Sequence, residues 1–135
     1  MKPDPDRLLR VPLFAGLSDD DRTRVASWLD VAEYEAGQRI AREGSSGYTF
    51  FVLDDGAVRV DHGGEAVATL GPGDVFGEMA FFGDGRRNSD IVAETPVRVF
   101  SMFGTRFREM QMSMPEVTAG LEHLVERRRS ALDEG

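Results

Sequence analysis

One short stretch, residues 76–93, combines the residue types that hold a small phosphate ester: FGEMAFFGDGRRNSDIVA. It follows the turn signal Gly71-Pro72-Gly73-Asp74, which predicts that a strand ends near Phe76 and that about one turn of helix begins there. The first amides of such a turn have no partner within the helix and can donate to an anion. Gly77 would let a phosphate approach the backbone closely.

A carboxylate and two arginines complete the predicted chemistry of this stretch. Arg87 supplies a fixed positive charge and a planar fork of donors that matches two phosphate oxygens. Glu78 would repel a phosphate unless it binds a neutral hydroxyl group, and a ribose hydroxyl meets that need. In a strand from Arg87 onward, Ser89 lies on the same face as Arg87 and Asp90 on the other. A shift of one residue would exchange Arg86 for Arg87, so that choice stays open.

The stretch resembles the phosphate-binding cassette of the cyclic nucleotide-binding domain family. Phe-Gly-Glu-Met-Ala at 76–80 matches the family pattern throughout, and Arg87 lies ten positions after Gly77, a common family spacing. The resemblance implies that Glu78 binds the ribose 2′-hydroxyl and Arg87 the cyclic phosphate. The family usually has Ala, Ser or Thr where this chain has Asn88, which leaves the base preference open. The implied phosphate and ribose set is Phe76, Gly77, Glu78, Met79, Ala80, Arg87, Asn88 and Ser89.

The resemblance covers about residues 8–132 and also implies a pocket for the base. Residues 44–60 resemble the central hairpin of the family, and residues 71–78 resemble its approach to the cassette. On that alignment, apolar residues from the strands and the last helix would line the pocket: Val60, Val67, Leu70, Ile91, Leu121 and Leu124. Without the alignment, the strand residues are ordinary inward-facing residues. Simple core packing is the alternative for the helical pair, and His123 is a further candidate for covering the base.

Short apolar segments separated by glycine turns predict a mainly β fold with flanking helices. The candidate strands are 31–35, 39–43, 48–53, 57–61, 66–70, 89–94 and 97–101. Their close spacing indicates a β-roll or jelly-roll barrel, and the resemblance implies the double-stranded β-helix of the family. We expect one domain, with an N-terminal helical segment 1–30, a β-roll 31–102 and C-terminal helices 103–135.

Helix signals lie at both ends of the chain. A short helical turn is predicted for residues 4–10, and Ser18 followed by Asp21 resembles a capping box. Pro115 suits the first turn of the last helix, in which Gly120 indicates flexibility or a close approach. The apolar stripe of this helix consists of Val117, Leu121, Leu124 and Leu132. In the family, the corresponding helix is a lid over the base.

Composition limits the class of protein. The chain has 135 residues, 41% of them hydrophobic and 30% charged, as in one soluble globular domain. A net charge of -8 opposes direct binding to nucleic acid or to anionic membranes. No apolar run approaches the roughly 20 residues of a membrane span, and the first residues lack the apolar core of a signal peptide. The cytoplasm is therefore the expected location.

Residues for catalysis or metal binding are scarce. The chain has no cysteine, and His62 and His123 lie far apart in the sequence and outside any metal-ligand motif. We therefore expect no catalytic residues, no metal and no cofactor besides a nucleotide ligand. The sequence does not identify an output partner.

Two hypotheses follow. The first is a regulatory sensor domain that binds cyclic AMP, with cyclic GMP as the alternative ligand, and couples binding to movement of the C-terminal helix. The second is a ligand-independent interaction module that forms a homodimer through the apolar stripe of that helix.

Overall fold

The computed structural model describes residues 1–44, 49–77 and 89–134. Within these ranges, helical elements at both ends of the chain enclose a series of antiparallel strands. A 3₁₀ helix (Pro5–Arg10) and α1 (Asp19–Ser27) precede the strands, and α2 (Gly104–Ser113) and α3 (Pro115–Glu134) follow them. No described helix has both the length and the apolar character that crossing a membrane requires.

The N-terminal helices begin at capping residues. The Asp4 carboxylate accepts a hydrogen bond from the Asp6 amide at 3.0 Å, and Pro5 occupies the first turn of the 3₁₀ helix. The Ser18 hydroxyl accepts from the Asp21 amide at 3.2 Å, so the predicted helix start is confirmed. Trp28 follows α1 and is buried.

The strands form two four-stranded sheets. They are β1 (Asp30–Tyr34), β2 (Arg39–Ala41), β3 (Thr49–Asp55), β4 (Val58–His62), β5 (Glu65–Leu70), β6 (Val75–Phe76), β7 (Asp90–Ala93) and β8 (Val97–Phe103). The first sheet has the order β1-β8-β3-β6, and the second has the order β2-β7-β4-β5. Both are antiparallel throughout.

The first sheet is buried on both faces, as the unbroken apolar run of β3 requires. Phe50 and Val52 pack toward the helices, whereas Phe51 and Leu53 pack toward the second sheet. Successive side chains of a strand point to opposite faces. Of any two adjacent residues in this part of β3, one therefore packs on the helices and the other on the second sheet.

The second sheet is apolar on one face only. In β4, Val58 and Val60 face the first sheet, while Arg59 and Asp61 lie on the outer face. The Arg59 guanidinium donates to both Asp61 carboxylate oxygens, at 2.8 and 3.1 Å. This hydrogen bond, together with the charge of Asp61, raises the pKa of Arg59 above its ordinary value.

Two hydrophobic clusters result. The helical cluster comprises Leu8, Val11, Phe14, Val25, Ala26, Trp28, Leu29, Phe50, Val52, Val75, Phe100, Met102, Phe107, Met110, Met114, Val117 and Leu121. The roll cluster, between the sheets, comprises Ala41, Phe51, Leu53, Val58, Phe76, Ile91, Ala93, Val97 and Val99. The first sheet contributes side chains to both.

The predicted fold class, a β-roll with flanking helices, is confirmed. Each candidate strand is present with its ends shifted by a few residues at most, except that residue 48 lies outside the described residues. The described strands form two sheets, without a closed ring. Helix α3 begins at Pro115, as predicted, and the predicted short turn at residues 4–10 is the 3₁₀ helix.

Candidate functional site

The approach to the predicted cassette is a tight turn held against β3. The Gly71 amide donates to the Asp74 carboxylate at 2.9 Å, and the Gly73 amide donates to the Leu53 carbonyl at 2.8 Å. Gly73 has φ +93°, and a Cβ there would lie 2.6 Å from the Arg10 carbonyl oxygen. Only glycine meets both conditions without strain, so this turn fixes where β6 begins.

Phe76 anchors the start of the cassette from inside the roll. Its side chain is 1% exposed and stacks on Phe51, with ring centroids 5.0 Å apart and planes 20° apart. Gly77 follows with φ +83°, in the left-handed region that favours glycine. The structure thus places Phe76 as a buried anchor beneath the site, and Gly77 as the residue where the chain changes direction.

The other end of the cassette enters β7 with the predicted alternation. Ser89, Ile91 and Ala93 are buried, whereas Asp90 and Val92 are only partly buried. Asp90 faces Asp61 across the β4–β7 pair. Its carboxylate accepts a hydrogen bond from the Glu43 amide at 2.6 Å.

The remaining cassette residues lie outside the described residues. They are Glu78, Met79, Ala80, Arg87 and Asn88, together with the alternative Arg86. Their roles, and the choice between the two arginines, stay predictions.

Three of the predicted base-pocket residues come together on the inner face of the second sheet. Ile91 is buried in the roll cluster, and Val60 and Leu70 pack against it while remaining partly exposed. Val60 lies directly opposite Ile91. Ile91 in turn lies two residues after Ser89 in the sequence. Because Val60 pairs with Ala68 and Asp61 with Ala66, Val67 is the extra residue of a bulge on β5, and it is 49% exposed.

The predicted lid residues lie in the other cluster. Leu121 is fully buried in the helical cluster and Leu124 packs against it, whereas His123 is exposed. The structure therefore does not bring them together with Val60, Leu70 and Ile91. A Cβ at Gly120 would lie 3.1 Å from Leu13 Cδ1, which confirms the predicted close approach at this glycine.

Sequence reasoning missed a buried carboxylate beside the approach turn. The Asp54 side chain is 2% exposed, with one oxygen 3.8 Å from Arg7 Nη1 and the other 3.6 Å from Arg98 Nη1. Asp54 directly follows the candidate strand 48–53, but in the structure β3 continues through it and Asp54 ends the buried run. Its position directly after four apolar residues was the only local signal of burial. No group of three potential metal ligands occurs within residues 1–44, 49–77 and 89–134.

The family model described as cyclic nucleotide-binding domain matches residues 31–113. This range includes the second sheet, the cassette and α2. The chain therefore belongs to the cyclic nucleotide-binding domain family.

Similar proteins include both cyclic AMP- and cyclic GMP-dependent kinase components. A cAMP-dependent protein kinase regulatory subunit of Colletotrichum orbiculare is 35% identical over 107 residues, which are 78% of this chain and 27% of that protein. A cGMP-dependent protein kinase of Caenorhabditis briggsae is 36% identical over 95 residues, 66% of this chain and 13% of that protein. The chain thus spans about a quarter or less of these relatives.

A solved structure of PKAR CBD2 with bound Sp-2Cl-cAMPS has the same fold. It superposes with a TM-score of 0.86 and 28% identity, and the match covers 96% of this chain and 87% of that chain. The whole arrangement of helices and sheets is therefore shared with a single domain of similar length.

Proposed function

We propose that this chain is a regulatory domain that binds cyclic AMP between the cassette and the inner face of the second sheet. The observation that carries the proposal is the match to the family over residues 31–113, which contains Phe-Gly-Glu-Met-Ala at 76–80 and Arg87 at a common family spacing. The partly exposed inner residues Val60 and Leu70 support it, because they offer apolar surface to a purine close to the cassette exit.

The phosphate and ribose would be bound by residues 77–89. Arg87 supplies the fixed charge, and the turn that the sequence predicts after Gly77 would supply backbone amides as further donors to the phosphate. Glu78 accepts from the ribose 2′-hydroxyl. The buried Phe76–Phe51 stack would hold the first residue of this segment in place as the ligand binds.

Cyclic AMP is proposed over cyclic GMP on the strength of the solved neighbour, which holds a cAMP derivative. The relatives named for cyclic GMP have comparable identity, so the base preference needs a direct comparison. Asn88 is the cassette residue that departs from the family pattern and is the first candidate for any altered preference.

Coupling to α3 would require Leu121 and Leu124 to leave the helical cluster or to cover the base from their present positions. If Leu121 leaves the cluster and becomes fully exposed, the cost is about 2 kcal/mol, and the nucleotide must then bind the rearranged state more tightly by at least that amount. Hydrogen exchange of residues 115–132 with and without saturating nucleotide measures this coupling. Unchanged exchange would remove the coupling and leave nucleotide binding intact.

A homodimer through the apolar stripe of α3 is the second hypothesis, and the described first half of the stripe does not favour it. Val117 and Leu121, the first half of the stripe, are buried within the chain. A dimer through α3 would have to use its later residues. Light scattering over a wide concentration range tests this.

Calorimetric titration with cyclic AMP and cyclic GMP tests the proposed function. We expect Arg87→Ala to weaken binding about 100-fold, since losing a bidentate charge-assisted contact costs about 3 kcal/mol, and Glu78→Ala about tenfold. Arg106→Ala is the matched control, because it removes an exposed arginine of α2 that pairs with Glu109. Absence of binding to the unaltered chain, or equal affinity in Arg87→Ala and Arg106→Ala, would overturn the proposal.

A further inference from the structure

Three segments that are distant in sequence meet at Glu43, at one end of the second sheet. The Glu43 amide donates to the Asp90 carboxylate at 2.6 Å, across 47 positions of sequence. The Glu43 carboxylate accepts from the Gly63 amide at 2.9 Å, across 20 positions. His62 Nδ1 lies 3.5 Å from the same carboxylate oxygen.

These bonds connect the two halves of the proposed nucleotide site. Asp90 is the first residue of β7 and directly follows Ser89, the last residue of the implied phosphate-binding set. Gly63 lies in the hairpin that joins β4 to β5, which carry Val60 and Leu70. Glu43 therefore ties the exit of the phosphate-binding segment to the strands that would line the base.

Strand pairing holds the two sides of the hairpin, through the His62–Glu65 pair of β4 and β5 and the Asp61–Asp90 pair of β4 and β7. Packing does not restrict its glycine tip. Gly63 and Gly64 have φ of +62° and +84°, and nothing lies within 4 Å of a Cβ built at either one. Its following strand, β5, is exposed along most of its length and pairs only with β4 among the described strands. An external hydrogen bond to the Gly63 amide therefore restricts a turn that packing leaves open.

The Asp90 bond also relieves a like-charge contact. Asp61 and Asp90 are directly opposed on neighbouring strands, an arrangement that destabilises a sheet unless each carboxylate has its own partner. Arg59 bonds to Asp61, and the Glu43 amide bonds to Asp90. Glu43 thus adds a hydrogen bond at the start of β7, whose register is given by its pairing with β2 and β4.

We propose that Glu43 is a positioning residue for the nucleotide, which it would not touch. It fixes the distance between the cassette exit and the base-lining hairpin. This inference rests on the proposed function. The ion pair to His62 contributes little, because the two side chains are 40% and 42% exposed. The hydrogen bond to the Gly63 amide carries the effect.

Removal of the Glu43 carboxylate changes the nucleotide affinity in opposite directions through its charge and through its positioning role. A cyclic nucleotide is an anion, so deleting a nearby negative charge favours its binding. Loss of positioning weakens its binding. A weaker complex in Glu43→Ala therefore cannot come from the charge change.

The test compares Glu43→Ala, Glu43→Gln and the control Glu65→Ala by calorimetric titration with cyclic AMP and cyclic GMP. Glu65 is an exposed residue just after the same glycine hairpin, so its removal makes the same charge change. We expect Glu43→Ala to lower affinity about tenfold, the equivalent of one hydrogen bond. Glu43→Gln keeps an acceptor for the Gly63 amide and should stay within about threefold of the unaltered chain. Glu65→Ala should bind equally well or more tightly.

Hydrogen exchange without nucleotide supplies a second readout on the same variants. Exchange at Gly63 should quicken in Glu43→Ala and stay near normal in Glu43→Gln. Exchange at residues 90–93 should be the same in both variants, because Asp90 accepts from the Glu43 backbone amide, which both variants keep. The unfolding midpoints of Glu43→Ala and Glu65→Ala should be similar.

Equal affinities in Glu43→Ala and Glu65→Ala would overturn the inference alone and leave nucleotide binding standing. Equal losses in Glu43→Ala and Glu43→Gln would also overturn it, since the acceptor would then be irrelevant. Failure of the unaltered chain to bind either nucleotide would instead overturn the proposed function, and the inference with it.

Discussion

Phe50 and Phe51 are neighbours in β3, yet they lie in different hydrophobic clusters. Phe50 is fully buried in the helical cluster, where its ring meets Phe107 edge-on with centroids 6.1 Å apart. Phe51 is buried in the roll cluster, stacked on Phe76. The first sheet therefore has one face covered by helices and another covered by a second sheet.

The two clusters differ in how completely they are closed. The helical cluster receives side chains from both ends of the chain and from the first sheet. Among the described residues, the roll cluster has nine buried residues bordered by five partly buried ones, including Val60 and Leu70, whereas the helical cluster has 17 bordered by four. We infer that the helical face contributes mainly stability, and that the roll face exchanges some stability for a surface that a ligand can cover.

The largest expected loss of stability comes from replacing Phe50 or Phe51, and the two variants should differ in nucleotide affinity. Phe50→Ala should lower the free energy of unfolding by about 4 kcal/mol, and Phe51→Ala by about 3 kcal/mol because its ring is slightly exposed. Only Phe51→Ala should also weaken nucleotide binding, since it removes the partner of Phe76. Urea denaturation and titration on the folded fraction measure both quantities. Equal losses of affinity would contradict the division between the faces.

A second pair of variants compares α3 with β4. Leu121→Ala should cost about 3 kcal/mol, because the leucine is fully buried in the helical cluster. Val60→Ala should cost only about 1 kcal/mol, since the valine is partly exposed, but should weaken nucleotide binding more. A larger loss of stability for Val60→Ala would mean that the roll face is closed as tightly as the helical face.

Glycine substitutions sharpen the comparison at the turns. Gly56 joins the two sheets with φ +92°, and a Cβ there would lie 2.4 Å from the Pro96 carbonyl oxygen. Gly56→Ala should therefore cost about 2 to 3 kcal/mol through backbone strain and overlap. Gly63→Ala, in the open hairpin, should cost only about 1 kcal/mol. Thermal unfolding of both variants would show whether alanine lowers the stability more at Gly56, between the two sheets, than at Gly63, in the hairpin.

The smallest effect lies where α3 meets the N-terminal segment. Gly120→Ala gains about 1 kcal/mol of helix propensity but places a methyl group against Leu13, so the net change should be within about 0.5 kcal/mol. In a Leu13→Ala background the same substitution should stabilise by about 1 kcal/mol. If the gain were the same in both backgrounds, Leu13 would not restrict the helix.

The sequence predicted the strands and caps because these depend on neighbouring residues. The run at Phe50–Leu53, the glycine turns and Ser18 all act over a few positions. It also predicted a strand end near Phe76 and a strand over 89–94, and the structure has β6 ending at Phe76 and β7 at Asp90–Ala93.

Features that depend on contacts between distant residues could not be predicted from local sequence patterns. The burial of Asp54 depends on Arg7 and Arg98, and the role of Glu43 depends on a bond across 47 positions. The bulge at Val67 and the placement of Leu121 arise from register and helix docking. No local pattern encodes these features, because each depends on residues that lie far away in the sequence.

Trp28 is the single tryptophan of the chain, and it belongs to the helical cluster. Its fluorescence therefore reports on the helical half of the molecule without any attached dye. A shift of this emission when nucleotide is added would show that binding at the roll changes the surroundings of Trp28 on the other side of the first sheet. Emission that stays constant during binding would show that the roll binds the nucleotide without a change in the surroundings of Trp28 in the helical half.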